Sequence, residues 1–351
     1  MRNIVLLFFS LFIFFVSAAQ IPQGYYDGTT GFNGLGLKIT LHNIIKNHNV
    51  ISYAGLFSVF QYTDNKGNDI VWDIYSDNPF GNPPYTYYFT NPSDMCGQYT
   101  QEGDCYNKEH SWPQSWFGSS SIPMYSDLFH IYPTDGWVNN KRGNMPYGKV
   151  NNPSWTSQNG CKIGPCAYPG YSGNVFEPIN EYKGDIARSF FYVTIRYYSE
   201  DGSWTGSDQT IGADLKPWAF NLMYEWHKLD PVSQKETDRN DAIYLLQNNR
   251  NPFIDHPEWL DSIYFPVGIN EMDIYNHIQI YPVPAQDYLY VSAPFSFSQI
   301  IISNSLGQDC LLINTTENNF AEINLQTLNS GYYFIHLRSN KYNIVKTFIK
   351  R

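Results

Sequence analysis

Two stretches of this 351-residue chain concentrate side chains able to move a proton or hold a cation. The first is Cys105-Tyr-Asn-Lys-Glu109-His110-Ser-Trp-Pro-Gln-Ser-Trp116. The second is Asp127-Leu-Phe-His130-Ile-Tyr-Pro-Thr-Asp-Gly-Trp-Val-Asn139-Asn-Lys-Arg142-Gly-Asn144. Histidine is the side chain whose ordinary pKa suits it to take a proton from water. A hard divalent cation, which neutralises charge on a phosphorane and a leaving oxygen, prefers carboxylate and amide oxygens. Glu109, His110 and Asn139 offer those three groups, the set that hydrolysis of a phosphodiester requires.

The elements that carry these residues must bring them together. Glu109 and His110 are neighbours, so a regular strand points them to opposite faces. One site can use both only if the chain bends there or if the cation sits at the strand's end. From Thr134 onward the sequence reads as a short helix, capped by Thr134 or Asp135 and ended by Gly143. On it Asn139 and Arg142 share a face, where the arginine is placed to hold a phosphate. His130 reads equally as an orienting residue or a packed one, and Lys141 as a phosphate contact or an exposed lysine. Asp127 reads as a brace rather than a ligand, and His227 and His256 as structural. Glu177, Asp185 and Arg188 read as a buried ion pair. No HExxH occurs, which excludes the common zinc protease.

Around this centre the pattern is mixed. Helical spacing runs through Gly34 to Asn49, Gly184 to Tyr198 and Leu215 to Leu229, and a further helix opens at Asp230-Pro231 and reaches about Arg250. Residues 50 to 180 are rich in Gly, Pro, Asn, Ser and Tyr and read as short strands and ordered loops. From Ile278 the chain turns alternating and β-branched, as in a small β-sandwich, with the boundary between Asn270 and Ile278. Met1-Arg2, the apolar run Ile4 to Val16 and the small residues Ser17-Ala18-Ala19 read as a cleaved secretory signal, with the mature chain starting near Gln20 and no spanning segment in it. Export permits disulfides. Cys96 with Cys105 and Cys161 with Cys166 are expected to form two local bridges, leaving Cys310 as a half-buried, unreactive thiol. The net charge of -10 speaks against capture of nucleic acid by a broad basic surface, so a cation and a local patch would have to do that work.

The central stretch resembles the endonuclease I family of secreted bacterial nucleases. So do Val175-Phe-Glu-Pro, Lys183-Gly-Asp-Ile-Ala-Arg188, Glu225-Trp-His, Asp230-Pro-Val-Ser, Asn240 and Gln247-Asn-Asn-Arg-Asn-Pro-Phe253. The resemblance spans roughly residues 25 to 262. It implies an α+β fold, with a mainly helical nuclease domain holding a ββα-metal (His-Me finger) motif, followed by the small C-terminal β-sandwich. In residue terms the expectation is a signal over 1–19, a nuclease domain over 20–275 and a β-domain over 276–351. By the same resemblance His110 matches the general base, and Glu109 and Asn139 match the ligands of a single Mg2+, or of Mn2+ or Ca2+ in its place. The implied substrates are DNA and often RNA without sequence preference, cut to leave 5′-phosphate and 3′-hydroxyl ends. Two positions depart from the family. Phe129 stands where a second histidine is common, and no arginine lies between Ser111 and Ser126, so Arg142 or Arg188 would have to meet the phosphate.

In the C-terminal part, Tyr281-Pro-Val-Pro-Ala-Gln-Asp287, Ile323 to Leu328, Gly331-Tyr-Tyr and the ending Lys346-Thr-Phe-Ile-Lys-Arg351 are similar to the type A sorting domain of the type IX secretion system. That implies an outer-membrane secretion machinery as partner, a Gram-negative host, and a secreted or cell-surface protein. The competing reading is a catalytically silent, surface-displayed binding or adhesion protein on the same fold.

Overall fold

The computed structural model describes residues 21–118, 120–266, 275, 278–339 and 342–351, and the signal sequence read at residues 1–19 lies outside them. The chain first runs α1 (Gly34–Ile45), α2 (Leu56–Thr63), β1 (Tyr106–His110), α3 (Gln114–Phe117), β2 (Ile131–Asp135) and α4 (Gly136–Arg142). An antiparallel sheet of β3 (Trp155–Thr156), β4 (Lys162–Pro165) and β5 (Asn174–Glu177) follows. Then come α5 (Lys183–Arg196), the short pair β6 (Thr210–Ile211) and β7 (Asp214–Leu215), α6 (Pro217–Leu229), α7 (Gln234–Gln247), α8 (Pro252–Asp255) and α9 (Trp259–Tyr264). The fold is α+β, as expected.

Helix α5 is the axis of the first core. Ile186, Ala187, Phe190, Phe191, Val193 and Ile195 bury apolar side chains on every side of it, as a helix enclosed by neighbours requires. Its charged residues must then find partners inside, and Asp185 and Arg188 take theirs from α7. Arg188 Nε and Nη2 donate to the two Glu236 oxygens at 2.5 and 2.8 Å, and Lys235 Nζ donates to Asp185 at 2.8 Å. Glu177 pairs with Lys183 at 2.6 Å. The ion pair expected among Glu177, Asp185 and Arg188 is therefore replaced by three pairs, because a second helix lies against α5. Gly184 lets the chains come this close: a Cβ there would meet Asp230 O at 2.1 Å and Arg188 Nη2 at 2.5 Å. Helix α7 begins later than Asp230-Pro231. Ser233 caps it in a capping box with Glu236, which satisfies two backbone donors at once, while Asp230 accepts from Gly184 N at 2.7 Å.

The C-terminal strands β8 (Gln279–Tyr281), β9 (Tyr288–Asn304), β10 (Asp309–Asn324), β11 (Gly331–Arg338) and β12 (Asn343–Lys350) form one sheet ordered β10-β9-β11-β12, with β8 also on β9. Register shifts between Asp309 and Phe320 bend the long β9–β10 pair, and Ala285 bridges to Lys350. The sheet thereby folds over one core of Leu289, Val291, Ile300, Ile302, Ile335 and Phe348, a nearly closed sandwich.

Cys96 and Cys105 are bonded, as expected, but Cys161 and Cys166 are free. Those two flank β4, whose extended backbone carries them apart and buries Cys161 beneath Tyr75. Cys310 is exposed rather than half-buried, since alternation along β10 turns it outward from Leu311. The bond that forms has a structural target: a Cβ on Gly136, the first residue of α4, would lie 2.7 Å from Cys96 Sγ, and Gly136 N donates to Cys105 O at 2.9 Å. The Cys96→Ser/Cys105→Ser variant should lose about 2–3 kcal/mol in a urea titration, from the freed loop alone. An unchanged midpoint would remove the bridge from the list of stabilising elements. Alkylation in urea without reductant should label Cys161, Cys166 and Cys310. Labelling of Cys310 alone would restore the second bridge.

Candidate active site

Strands β1 and β2 pair antiparallel, with Glu109 opposite Tyr132 and His110 opposite Ile131, and the chain turns from β2 straight into α4. Asp135 makes that turn. Its Oδ1 accepts from Val138 N at 2.7 Å as the helix cap, and its Oδ2 accepts from Tyr87 and Gly103. Asp135 was one of the two caps expected, and Gly143 ends the helix at φ 57°. Further support comes from α7, where Arg239 donates to Leu128 O and Ile131 O at 2.9 and 2.8 Å.

Helix α4 lies along the face of β1 that bears Asn107 and Glu109. Asn139 Nδ2 donates to Asn107 Oδ1 at 2.7 Å and to Lys108 O at 3.3 Å. One turn on, Arg142 reaches Glu109. Its Nη1 donates to Glu109 Oε1 at 2.5 Å and to His110 O at 3.0 Å, its Nη2 to Ser111 O at 2.7 Å, and its plane lies 4.0 Å from the Tyr147 ring. The arginine side chain has no exposed area. It is therefore a clamp between α4 and β1, and the expectation that it meets a phosphate is corrected by its burial. The alternative, Arg188, is equally enclosed with Glu236.

Tyr75 OH donates to Glu109 Oε1 at 2.7 Å. Burial pushes the Glu109 carboxyl above its ordinary range, against the pull of Arg142 and Tyr75. Among the described residues, both hydrogen bonds to this carboxylate fall on Oε1, and both from the Asn139 side chain leave its Nδ2. Glu109 Oε2 and Asn139 Oδ1 thus keep their lone pairs, two hard oxygens on facing elements. Among the described residues no group of three or more His, Cys, Asp and Glu could hold a metal. A cation taken by this pair would keep most of its water, which suits magnesium and does not suit zinc.

His110 is the last residue of β1, at the strand's end. Its imidazole stacks beside Tyr53 and Tyr125, each 5.7 Å away between ring centres. Nε2 contacts Tyr125 O at 3.1 Å, and Gln114 Nε2 contacts Nδ1 at 3.1 Å. A carbonyl only accepts, so Nε2 carries the hydrogen and Nδ1 receives the Gln114 donor. Burial, with His130 5.5 Å away, pushes the imidazole down to about 3, which keeps it neutral with its lone pair at Nδ1. His130 is fully buried and donates from Nε2 to Met124 O at 2.7 Å, one residue before the carbonyl that fixes His110. Asp127 braces, as expected, accepting from Tyr192, Tyr197 and Gln247. Tyr75, Gln114 and the Tyr125 carbonyl are the members of the site that the sequence did not announce. Gln114, four residues after His110, carried the only local signal.

Arg142→Ala would leave Glu109 buried without its counter-charge and should cost about 3–5 kcal/mol in urea unfolding. Arg142→Lys should recover only part of this, because a point charge cannot span three acceptors; an Ala variant as stable as the parent chain would refute the clamp. A pH effect comes from Asp73, which burial and then Asp135 push up to about 7. Because its folded pKa lies above its unfolded one, its contribution is complete in acid and is lost as pH rises toward about 7. The urea midpoint of the parent chain should therefore fall over that range more steeply than that of Asp73→Asn, and parallel curves would contradict the assignment.

The family model described as Endonuclease I matches residues 33–258, and the secretion system C-terminal sorting domain matches residues 279–351. Among curated proteins the chain is 34% identical to the extracellular ribonuclease of Bacillus subtilis (strain 168) over 258 residues, covering 68% of this chain and 78% of that one. It is 36% identical to the extracellular ribonuclease of Bacillus amyloliquefaciens, covering 71% and 81%. Endonuclease-1 of Buchnera aphidicola subsp. Acyrthosiphon pisum is 27% identical, covering 37% and 44%. Among the described residues no helix is long and apolar enough to cross a membrane. The chain belongs to the endonuclease I family, as a secreted or cell-surface nuclease that carries a C-terminal sorting domain.

Proposed function

We propose that this chain is a metal-dependent endonuclease that hydrolyses DNA and RNA without sequence preference through a ββα-metal site, leaving 5′-phosphate and 3′-hydroxyl ends. The observation that carries the reading is the alignment of α4 on β1. In support of it, Asn139 bonds to β1 at Asn107 and Arg142 to Glu109, while the Tyr125 carbonyl and Gln114 fix the tautomer of a neutral His110 on the same strand.

Glu109 Oε2 and Asn139 Oδ1 would hold the cation, Mg2+ or else Mn2+ or Ca2+. When bound, it supplies charge neutralisation on the scissile phosphate and its leaving 3′-oxygen. Arg142 keeps Glu109 aimed by sharing Oε1 and pulls its carboxyl toward the charged form, against the burial that raises it. Tyr125 O holds the Nε2 hydrogen, so His110 Nδ1 is the atom that takes the proton from the attacking water. That water would sit where the Gln114 amide now approaches Nδ1. The Tyr53 and Tyr125 rings prevent the imidazole from turning away.

The test incubates the secreted chain with supercoiled plasmid and with RNA, with Mg2+ or with EDTA, beside His110→Ala, Glu109→Gln and Asn139→Ala. His110→Ala should lower the rate by about 10²–10⁴-fold, and the other two should need more Mg2+ for half-maximal cleavage. Cleavage in EDTA, or an undiminished His110→Ala variant, would overturn the mechanism. An inert parent chain that still binds nucleic acid would favour the silent binding protein.

A further inference from the structure

A cleft of about 470 Å³ opens beside the site, walled by Ser115, Trp116, Asn144, Tyr171, Asn174 and Asp208. Its place in the fold ties it to the reaction. Ser115 follows Gln114, the partner of His110, and Asn144 lies two residues past Arg142; Asn144 Nδ2 is 3.5 Å from Ser115 Oγ, linking the two walls. The Tyr171 ring lies on Trp218 with centres 4.8 Å apart and planes 8° from parallel, and its hydroxyl donates to Asp208 Oδ2 at 3.0 Å. Anchored through both ring and hydroxyl, this half-buried ring is a plate whose orientation is set before any ligand arrives.

The lining decides what the cleft can take. It contains no lysine or arginine, and Asp208 is exposed in it, so a backbone phosphate would be repelled. Amides, hydroxyls and one carboxylate instead complement the mixed donors and acceptors of a base edge, and a fixed aromatic plate suits its flat face. A base can present edge and face together only when it is unpaired and unstacked from its neighbours. We propose that this cleft receives an unpaired nucleobase flanking the scissile phosphate, so that the chain prefers single-stranded nucleic acid to duplex. The inference rests on the nuclease reading above for the placement of the phosphate.

Binding separates the two readings. The full chain carrying His110→Ala, which holds its ligand without turnover, is titrated in Mg2+ against a fluorescein-labelled eight-nucleotide single strand and a labelled, blunt-ended duplex of two annealed strands. The single strand should bind about tenfold more tightly, the scale of one base–aromatic stack. Adding Tyr171→Ala should erase that margin and adding Tyr171→Phe should keep it. Asn144→Ala with Asn174→Ala, both at exposed positions, should narrow it without disturbing the Tyr171–Trp218 pair. Equal affinity for strand and duplex, or a margin that survives both Tyr171→Ala and the double asparagine variant, overturns the proposal. An active parent chain with no strand preference sinks the cleft and leaves the nuclease standing. An inert parent chain sinks the nuclease, while the titration still decides the cleft.

Discussion

A guanidinium and a carboxylate are buried together where α4 crosses β1, and the geometry of the centre follows from their pairing. Arg142 takes Glu109 Oε1 and the carbonyl of His110 with Nη1, and the carbonyl of Ser111 with Nη2. Neither charge could stay in that interior alone, since an uncompensated buried ion costs several kcal/mol. The pair therefore fixes the distance between helix and strand. With the helix in place, Asn139 has one position beside β1, and Glu109 is left one free oxygen to offer. The same guanidinium grips the backbone at His110, so the strand's end cannot drift from the face that carries the Glu109 carboxylate.

Support for that pairing is layered outward. Asp135 ends β2 and caps α4 with one carboxylate, and Asp73 in turn accepts from Asp135 N at 2.8 Å. Helix α7 braces the entry of β2 through Arg239, and the Cys96–Cys105 bond sits against the first residue of α4. These contacts come from segments far apart in the chain. The site is rigid because separate parts of the core agree on where one short helix lies.

That layering explains what the amino-acid order disclosed and what it concealed. Glu109, His110 and Asn139 stood out because chemistry restricts which side chains could serve a hydrolytic centre, and the α4 boundaries were legible because Asp135 and Gly143 are local signals. The surroundings of Arg142 were not. Three residues from Asn139 on a helix, it reads as a solvent-facing cation, and only the packing of β1 reveals it to be internal. The same holds for Arg188, whose partner is set by the docking of α7, and for Cys161 and Cys166, whose short separation suggests a bridge until β4 pulls them apart. The Tyr125 carbonyl left no trace at all, since any residue could supply it. In the C-terminal part, alternation gave the strands, but the bends that fold β9 and β10 over their own core depend on register shifts that no pattern of side chains marks.

Arg142, Arg188, Arg196, Arg239 and Arg250, the arginines between residues 21 and 266, are all at most 5% exposed. Four of them meet carboxylates as buried as themselves, Glu109, Glu236, Asp64 and Asp255, where mobile ions do not follow; only Arg196 reaches a partner at the surface, Glu200. A molecule that works outside the cell meets water of changing salinity, from dilute to brackish. Charges sealed in this way keep their attraction as the medium changes, so the internal scaffold of this chain is insulated from the ionic strength of its surroundings, whatever happens at its lysine- and carboxylate-covered surface.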